Sequence, residues 1–183
     1  MPAGRELQPG RTKAQVEAPL CHFPNFVLLA AGLAAVSLGI GARALDELAV
    51  SATRPATLGN QPLSSQSHLQ LGLARATATL GAARAYLNDQ VGRLWDVVLA
   101  GSRPTLLQRA EGRLAAHNAA AEAARAVDLA FTAAGGSAVY SDAPLQRCLR
   151  DAHVATQHAM VSPRLLETFA RVRLGLEADT ALL

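Results

Sequence analysis

"GGSAVYSDAPLQRCLRDAHVATQH", Gly135 to His158, gathers two adjacent glycines, two arginines, two aspartates and two histidines in a chain otherwise dominated by alanine and leucine. Helices that only pack against one another are served by Ala, Leu, Glu and Lys, so this density of polar residues marks a candidate site. The glycine pair ends one helix and Pro144 starts the next. Along that helix Arg147, Arg150 or Asp151, Val154 and His158 recur at three or four residues, which puts them on one face. A guanidinium offers a planar fork to carboxylate or phosphate, and glycines let backbone amides approach an anion closely. On these residues alone a ligand site competes with a structural reading. In that reading Arg150 pairs with a neighbouring helix, Asp151 caps a loop, and Gly135 and Gly136 only terminate a helix.

The surrounding chain sets the frame. Its 183 residues suit one domain with a real core. Half of them are apolar but only 4% are aromatic, a helical composition filled by alanine and leucine. The net charge is +3, and the arginines are scattered singly (Arg75, Arg84, Arg93, Arg109, Arg113, Arg125) without interleaved aromatics, which argues against nucleic acid. Cys21 and Cys148 match no metal or redox spacing and read as thiols of a reducing cytoplasm. Phe26 to Ala42 is an uncharged run of 17 residues, at the lower limit for a bilayer and without an aromatic belt or lysine-rich flank. No basic region directly precedes it, so it is not a secretory signal either. It reads as the central helix of a bundle, buried on most sides, and not as a membrane span.

The punctuation predicts five helices. Residues 1–22 form an irregular N-terminal segment, and 23–183 a helical domain. The first helix starts at Pro24 and runs to about Thr53, before "RPATLGNQP". The second has Ser64 or Ser65 as N-cap and Gly101 as its stop. The third starts under a Thr105 cap, shows a stripe of Leu107, Ala110, Leu114, Ala121, Ala124 and Phe131, and ends at Gly135 and Gly136. A fourth runs from Pro144 to His158 or slightly beyond, and a fifth follows Ser162 as cap with Pro163 at its first position. The fold class is all-α: an up-and-down four-helix bundle with an additional C-terminal helix.

Taken together, "AAGGSAVYSDAPLQRCLRDAHVATQH", "FPNFVLLAAGLAAVSLGIGARALDELA" and "LQLGLARATATLGAARAYL" resemble the C-terminal helical domain of the acyl-CoA dehydrogenase superfamily, in its flavin-dependent monooxygenase branch. The resemblance covers roughly Phe23 to Gly175, and its most specific element is the glycine pair followed by P-x-x-R-x-x-R-D: Gly135, Gly136, Pro144, Arg147, Arg150 and Asp151. It implies a four-helix bundle at the centre of a homotetramer. It also implies a flavin, FAD or FMN in its reduced form, whose nucleotide end meets Gly135, Gly136, Ser137 and Arg147 from a neighbouring subunit. A common position for the dehydrogenases' catalytic glutamate, eight residues after the aspartate of the R-D pair, is Ala159 here. Alanine takes no proton. The monooxygenase branch resembles R-D-x6-H, and His158 stands seven after Asp151. The resemblance thus gives His158 a catalytic role: bonding to oxygen activated at the flavin, or taking a phenolic proton.

The N-terminal helical domain and β-domain that accompany this bundle in the family are not in this sequence. The resemblance therefore implies an oxidoreductase that acts with a separate chain carrying those domains and with a flavin reductase. The alternatives are a non-catalytic oligomerisation module or fragment, and an FAD-dependent acyl-CoA dehydrogenase whose base comes from elsewhere. His153, about 140° around the helix from His158, faces elsewhere, and His22, His68 and His117 fall in no ligand spacing, so no metal site is expected.

Overall fold

Pro24, which lacks an N–H, stands where a helix leaves its first donors without partners, and α1 (Asn25–Ala52) begins directly after it. The computed structural model describes residues 17–53 and 62–183. In it α1 is followed by α2 (Ser67–Leu99), α3 (Leu106–Ala134), α4 (Pro144–Thr156) and α5 (Arg164–Arg173). Short 3₁₀ turns stand at Pro19–His22, Leu63–Ser65, Gly135–Ala138 and Ala159–Val161. The all-α expectation holds. The segment before residue 17 and the break at 54–61 lie outside the described residues.

Local chemistry sets most boundaries. Thr105 closes a full capping box: its Oγ1 accepts from the Gln108 N–H at 3.2 Å, and its own N–H donates to Gln108 Oε1 at 2.8 Å. Gly101 adopts φ +74° just past α2, and Pro144 is the first residue of α4. Two caps differ from expectation. Ser65 Oγ donates to the Pro62 carbonyl inside a 3₁₀ turn, so the serines do not cap α2, whose N-cap is Gln66. At α5, Pro163 stands outside the helix while Ser162 Oγ accepts from the Arg164 N–H at 3.4 Å.

The helices run up and down. A Cβ on Gly41 of α1 would meet Leu80 of α2, and one on Gly112 of α3 would meet both Leu94 of α2 and Val27 of α1. α2 is therefore antiparallel to its two neighbours. Near the other end of the bundle, Gly72 of α2 lies against Ala133 of α3. α4 returns along α3, with Leu145 packed in the cluster of Ala133, Ala134 and Ala138, and His153 opposite Asp128.

The centre of this arrangement is α3, not α1. α3 is buried nearly all round through Ala115, Ala116, Ala119, Ala120, Ala123, Ala126, Val127 and Ala130. The expected stripe is displaced from the buried face: Ala110 and Ala124 are buried, but Leu107, Leu114, Ala121 and Phe131 are only half-buried. α1 is apolar enough to cross a bilayer by length and composition, with mean hydropathy 1.9 over 18 residues, yet only 33% of that window is buried. One of its faces packs through Ala30, Ala34, Leu38, Ala44 and Leu48, while Leu28, Leu29, Gly32, Ala35, Val36 and Gly39 face outward. The physical reason is size. A helix that touches neighbours on every side needs small side chains to let their axes approach, and α3 is the alanine-rich one.

Candidate functional site

The turn after α3 is built for an open backbone. Gly135 takes φ +68° and ψ −156°, a conformation that favours glycine, and a Cβ on Gly135 or Gly136 would meet no atom within 4 Å. Ser137 donates its Oγ proton to the Ala134 carbonyl at 3.2 Å. It borders a cleft of about 50 Å³ with Glu47 and Ser51 of α1 and Pro144 of α4. The neighbouring groove between α1 and α4, about 450 Å³, is lined by Val36, Gly39, Ile40, Arg43, Arg147 and Asp151, with Pro144 and Cys148 completing it. Burial pushes the Cys148 thiol up from its ordinary value.

Both groove arginines are tethered one turn along their own helices, Arg43 to Glu47 and Arg147 to Asp151 at 3.4 Å. Arg147 remains 78% exposed, so its guanidinium is held only loosely. Asp151 thus pairs with Arg147 and caps no loop. Two cations along one groove, beside a glycine turn that leaves open space where a Cβ would stand, can receive the anionic end of a nucleotide-like ligand.

His158 belongs to the other end of α4. The helix stops at Thr156, so His158 does not share its face, as the spacing had suggested, but opens the 3₁₀ turn Ala159–Val161. Its Nδ1 accepts from the Met160 N–H at 3.1 Å. A backbone N–H can only donate, so the neutral ring carries its proton on Nε2, toward solvent. Roughly 15 Å separates it from Arg147, at about 1.5 Å per helical residue. The glycine turn with Arg147 and the His158 turn are two stations joined by α4, not one compact pocket. His153 indeed points elsewhere, its Nε2 lying 2.8 Å from Asp128 Oδ1 on α3.

A sequence profile described as acyl-CoA dehydrogenase, C-terminal domain, matches residues 31–163. The chain belongs to this family. The domain is 34% identical over 150 residues to indole-3-acetate monooxygenase of Pseudomonas putida, covering 81% of this chain and 39% of that protein. Among solved structures it is similar to the 3-HSA hydroxylase of Rhodococcus sp. RHA1 (TM-score 0.82, 24% identity, 91% of this chain and 44% of that one). It is also similar to XiaF from Streptomyces sp. in complex with FADH2 and glycerol (TM-score 0.81, 22% identity, 89% and 42%). The domain spans less than half the length of these relatives.

Sequence reasoning passed over two residues that the structure brings to the His158 turn. By sequence Arg113 is one of several scattered cations and His117 a histidine without ligand spacing. On α3 they lie one turn apart, and both reach the turn that His158 opens. Their four-residue spacing on an alanine face was the available signal. Among the described residues, no three His, Cys, Asp or Glu side chains gather to hold a metal.

Proposed function

We propose that this domain is the helical part of a two-component flavin-dependent monooxygenase and that His158 is its catalytic residue. The observation that carries the proposal is the state of His158: an exposed imidazole whose Nδ1 is engaged by the Met160 N–H, leaving Nε2–H to donate. The adjoining position, where many dehydrogenases carry their glutamate, is Ala159, a methyl group with no proton chemistry. Relatives named as monooxygenase or hydroxylase support the reading.

The open turn at Gly135 and Gly136, with Ser137 and Arg147 beside it, fits the nucleotide end of FAD. With FMN, Arg147 is left for the single phosphate. Reduced flavin, when bound, supplies the electrons that activate dioxygen. Nε2–H of His158 donates a hydrogen bond to oxygen as negative charge develops there. The opposite role, removing a phenolic proton, would need Nε2 unprotonated and the bond from Met160 broken, so the geometry favours the donor.

The outward face of α1, uncharged from Asn25 to Ala42, supports assembly into a homotetramer. The same face favours the second reading, a non-catalytic oligomerisation module. The monooxygenase reading further calls for a chain supplying the β-domain and for a flavin reductase, all in the cytoplasm.

The test uses the domain complemented by the rest of such an enzyme. His158→Ala is expected to keep folding and flavin binding while hydroxylation falls about 10²- to 10⁴-fold and hydrogen peroxide is released instead of product. His153→Ala, which removes only an exposed pair with Asp128, is expected to cost little. Unchanged hydroxylation in His158→Ala would sink the assignment.

A further inference from the structure

Arg113 is 1% exposed, and among the described residues no carboxylate pairs with it. Its Nη1 donates to the Phe26 carbonyl at 2.9 Å and meets Met160 Sδ at 3.6 Å, while Nε and Nη2 are buried without a partner among those residues. Burial pushes the guanidinium down to about 10, so it is still a cation at neutral pH. An apolar side chain of similar length would fill the same space without desolvating a charge. Stability therefore does not account for an arginine here.

One turn further along α3, His117 Nδ1 lies 2.7 Å from the Val161 carbonyl. A carbonyl only accepts, so this nitrogen carries the proton and donates it. Both side chains end on the turn Ala159–Val161, and that turn starts from His158. A 3₁₀ turn of three residues has little stability of its own. Here its own backbone bonds are Val161 N–H to the His158 carbonyl at 3.0 Å and a longer one from Ser162 to Ala159 at 3.4 Å. Beyond those bonds it is held by packing, with Val161 buried and Met160 against the cluster of α1, α2 and α3 residues, and by two polar contacts from α3, on Met160 Sδ and on the Val161 carbonyl.

We infer that Arg113 and His117 form a two-point clamp that fixes the turn and, through the Met160 N–H, the orientation and tautomer of the His158 ring. They are positioning residues, and their relevance to catalysis rests on the role proposed for His158. The arrangement transmits rigidity from the most buried helix to an exposed imidazole that would otherwise turn freely about its two side-chain torsions. Arg113 also ties the first turn of α1 to the same point through Phe26, so the clamp spans three parts of the bundle.

The test reads His158 in this chain without flavin. Long-range proton–nitrogen NMR of the imidazoles, with His158 assigned by its loss in His158→Ala, reports the tautomer, and hydrogen exchange reports the Met160 amide. In Arg113→Met the melting temperature is expected to hold or rise, while the single-tautomer pattern of His158 becomes averaged and Met160 exchanges about five- to tenfold faster, as loss of one hydrogen bond's worth of local stability implies. His117→Ala is expected to do the same, and His117→Asn, which keeps a donor near Nδ1, to restore the pattern. If Arg113→Met does not fold, the His117 pair decides alone. These readouts do not depend on oxygenation, so a failed clamp and a failed assignment of His158 are separable. An unchanged His158 pattern and unchanged Met160 exchange in His117→Ala and in any folded Arg113→Met overturn the clamp.

Discussion

α1 and α3 are both long helices, and their compositions invert the roles that hydrophobicity alone would give them. α1 is rich in Leu and Val, carries no charge from Asn25 to Ala42, and leaves one face open. α3 contains Arg109, Glu111, Arg113, Glu122, Arg125 and Asp128, yet lies at the centre of the bundle. The difference teaches that in this domain the centre is chosen by smallness. Alanine gives up transfer energy per residue but lets several helices approach closely, and dispersion contacts are then made on every side. Large aliphatic residues on α1 need depth, which only one side supplies.

The comparison breaks most sharply by adding volume. Ala119→Leu places three extra carbons where α3 is fully buried, and a loss of about 1–3 kcal/mol or outright misfolding is expected in urea titration. Ala35→Leu, the same change on the open face of α1, is expected to shift stability by less than about 0.5 kcal/mol. Similar losses at both sites would mean that α1 is as enclosed as α3.

A smaller effect is expected at Gly72, where α2 crosses α3. Alanine improves helix propensity by about 1 kcal/mol, but the added Cβ would stand 2.5 Å from Ala133 Cβ, an atom that cannot swing away from the α3 backbone. Gly72→Ala should therefore be net destabilising by about 1–2 kcal/mol. A net gain would show that the two helices can separate at no cost.

A gain in place of a loss is expected on α1. A Cβ on Gly32 meets nothing within 4 Å, so Gly32→Ala is expected to stabilise the isolated chain by about 0.5–1 kcal/mol. Sedimentation of the same variant sharpens the comparison. If the open face of α1 is covered by another copy, the added methyl weakens association even as each chain becomes more stable. Association unaffected by Gly32→Ala would place any self-contact elsewhere.

Much of the fold was legible residue by residue. Thr105 with Gln108, Pro144 after the glycine pair, and Gly101 past α2 are signals that act within a few residues, and they set helix ends where the sequence put them. Ser65 misled because its hydroxyl found a nearer carbonyl in a 3₁₀ turn. The site divided in the same way. Gly135, Gly136 and Ser137 form the turn that their identities suggest, and Arg147 finds Asp151 at the expected helical spacing. His158 was noticed from its spacing, but it lies beyond the end of α4, and its tautomer follows from Met160, two residues on.

By itself the sequence determined the helices, their order and the glycine turn. These rest on caps, breakers and side-chain chemistry, which act over a few residues. Only the tertiary structure decided that α3 and not α1 occupies the centre, and that Arg113 and His117 meet the His158 turn across more than forty positions of chain. Those outcomes depend on which helices can approach closely and on what lies opposite once they have, and neither is encoded in any local window.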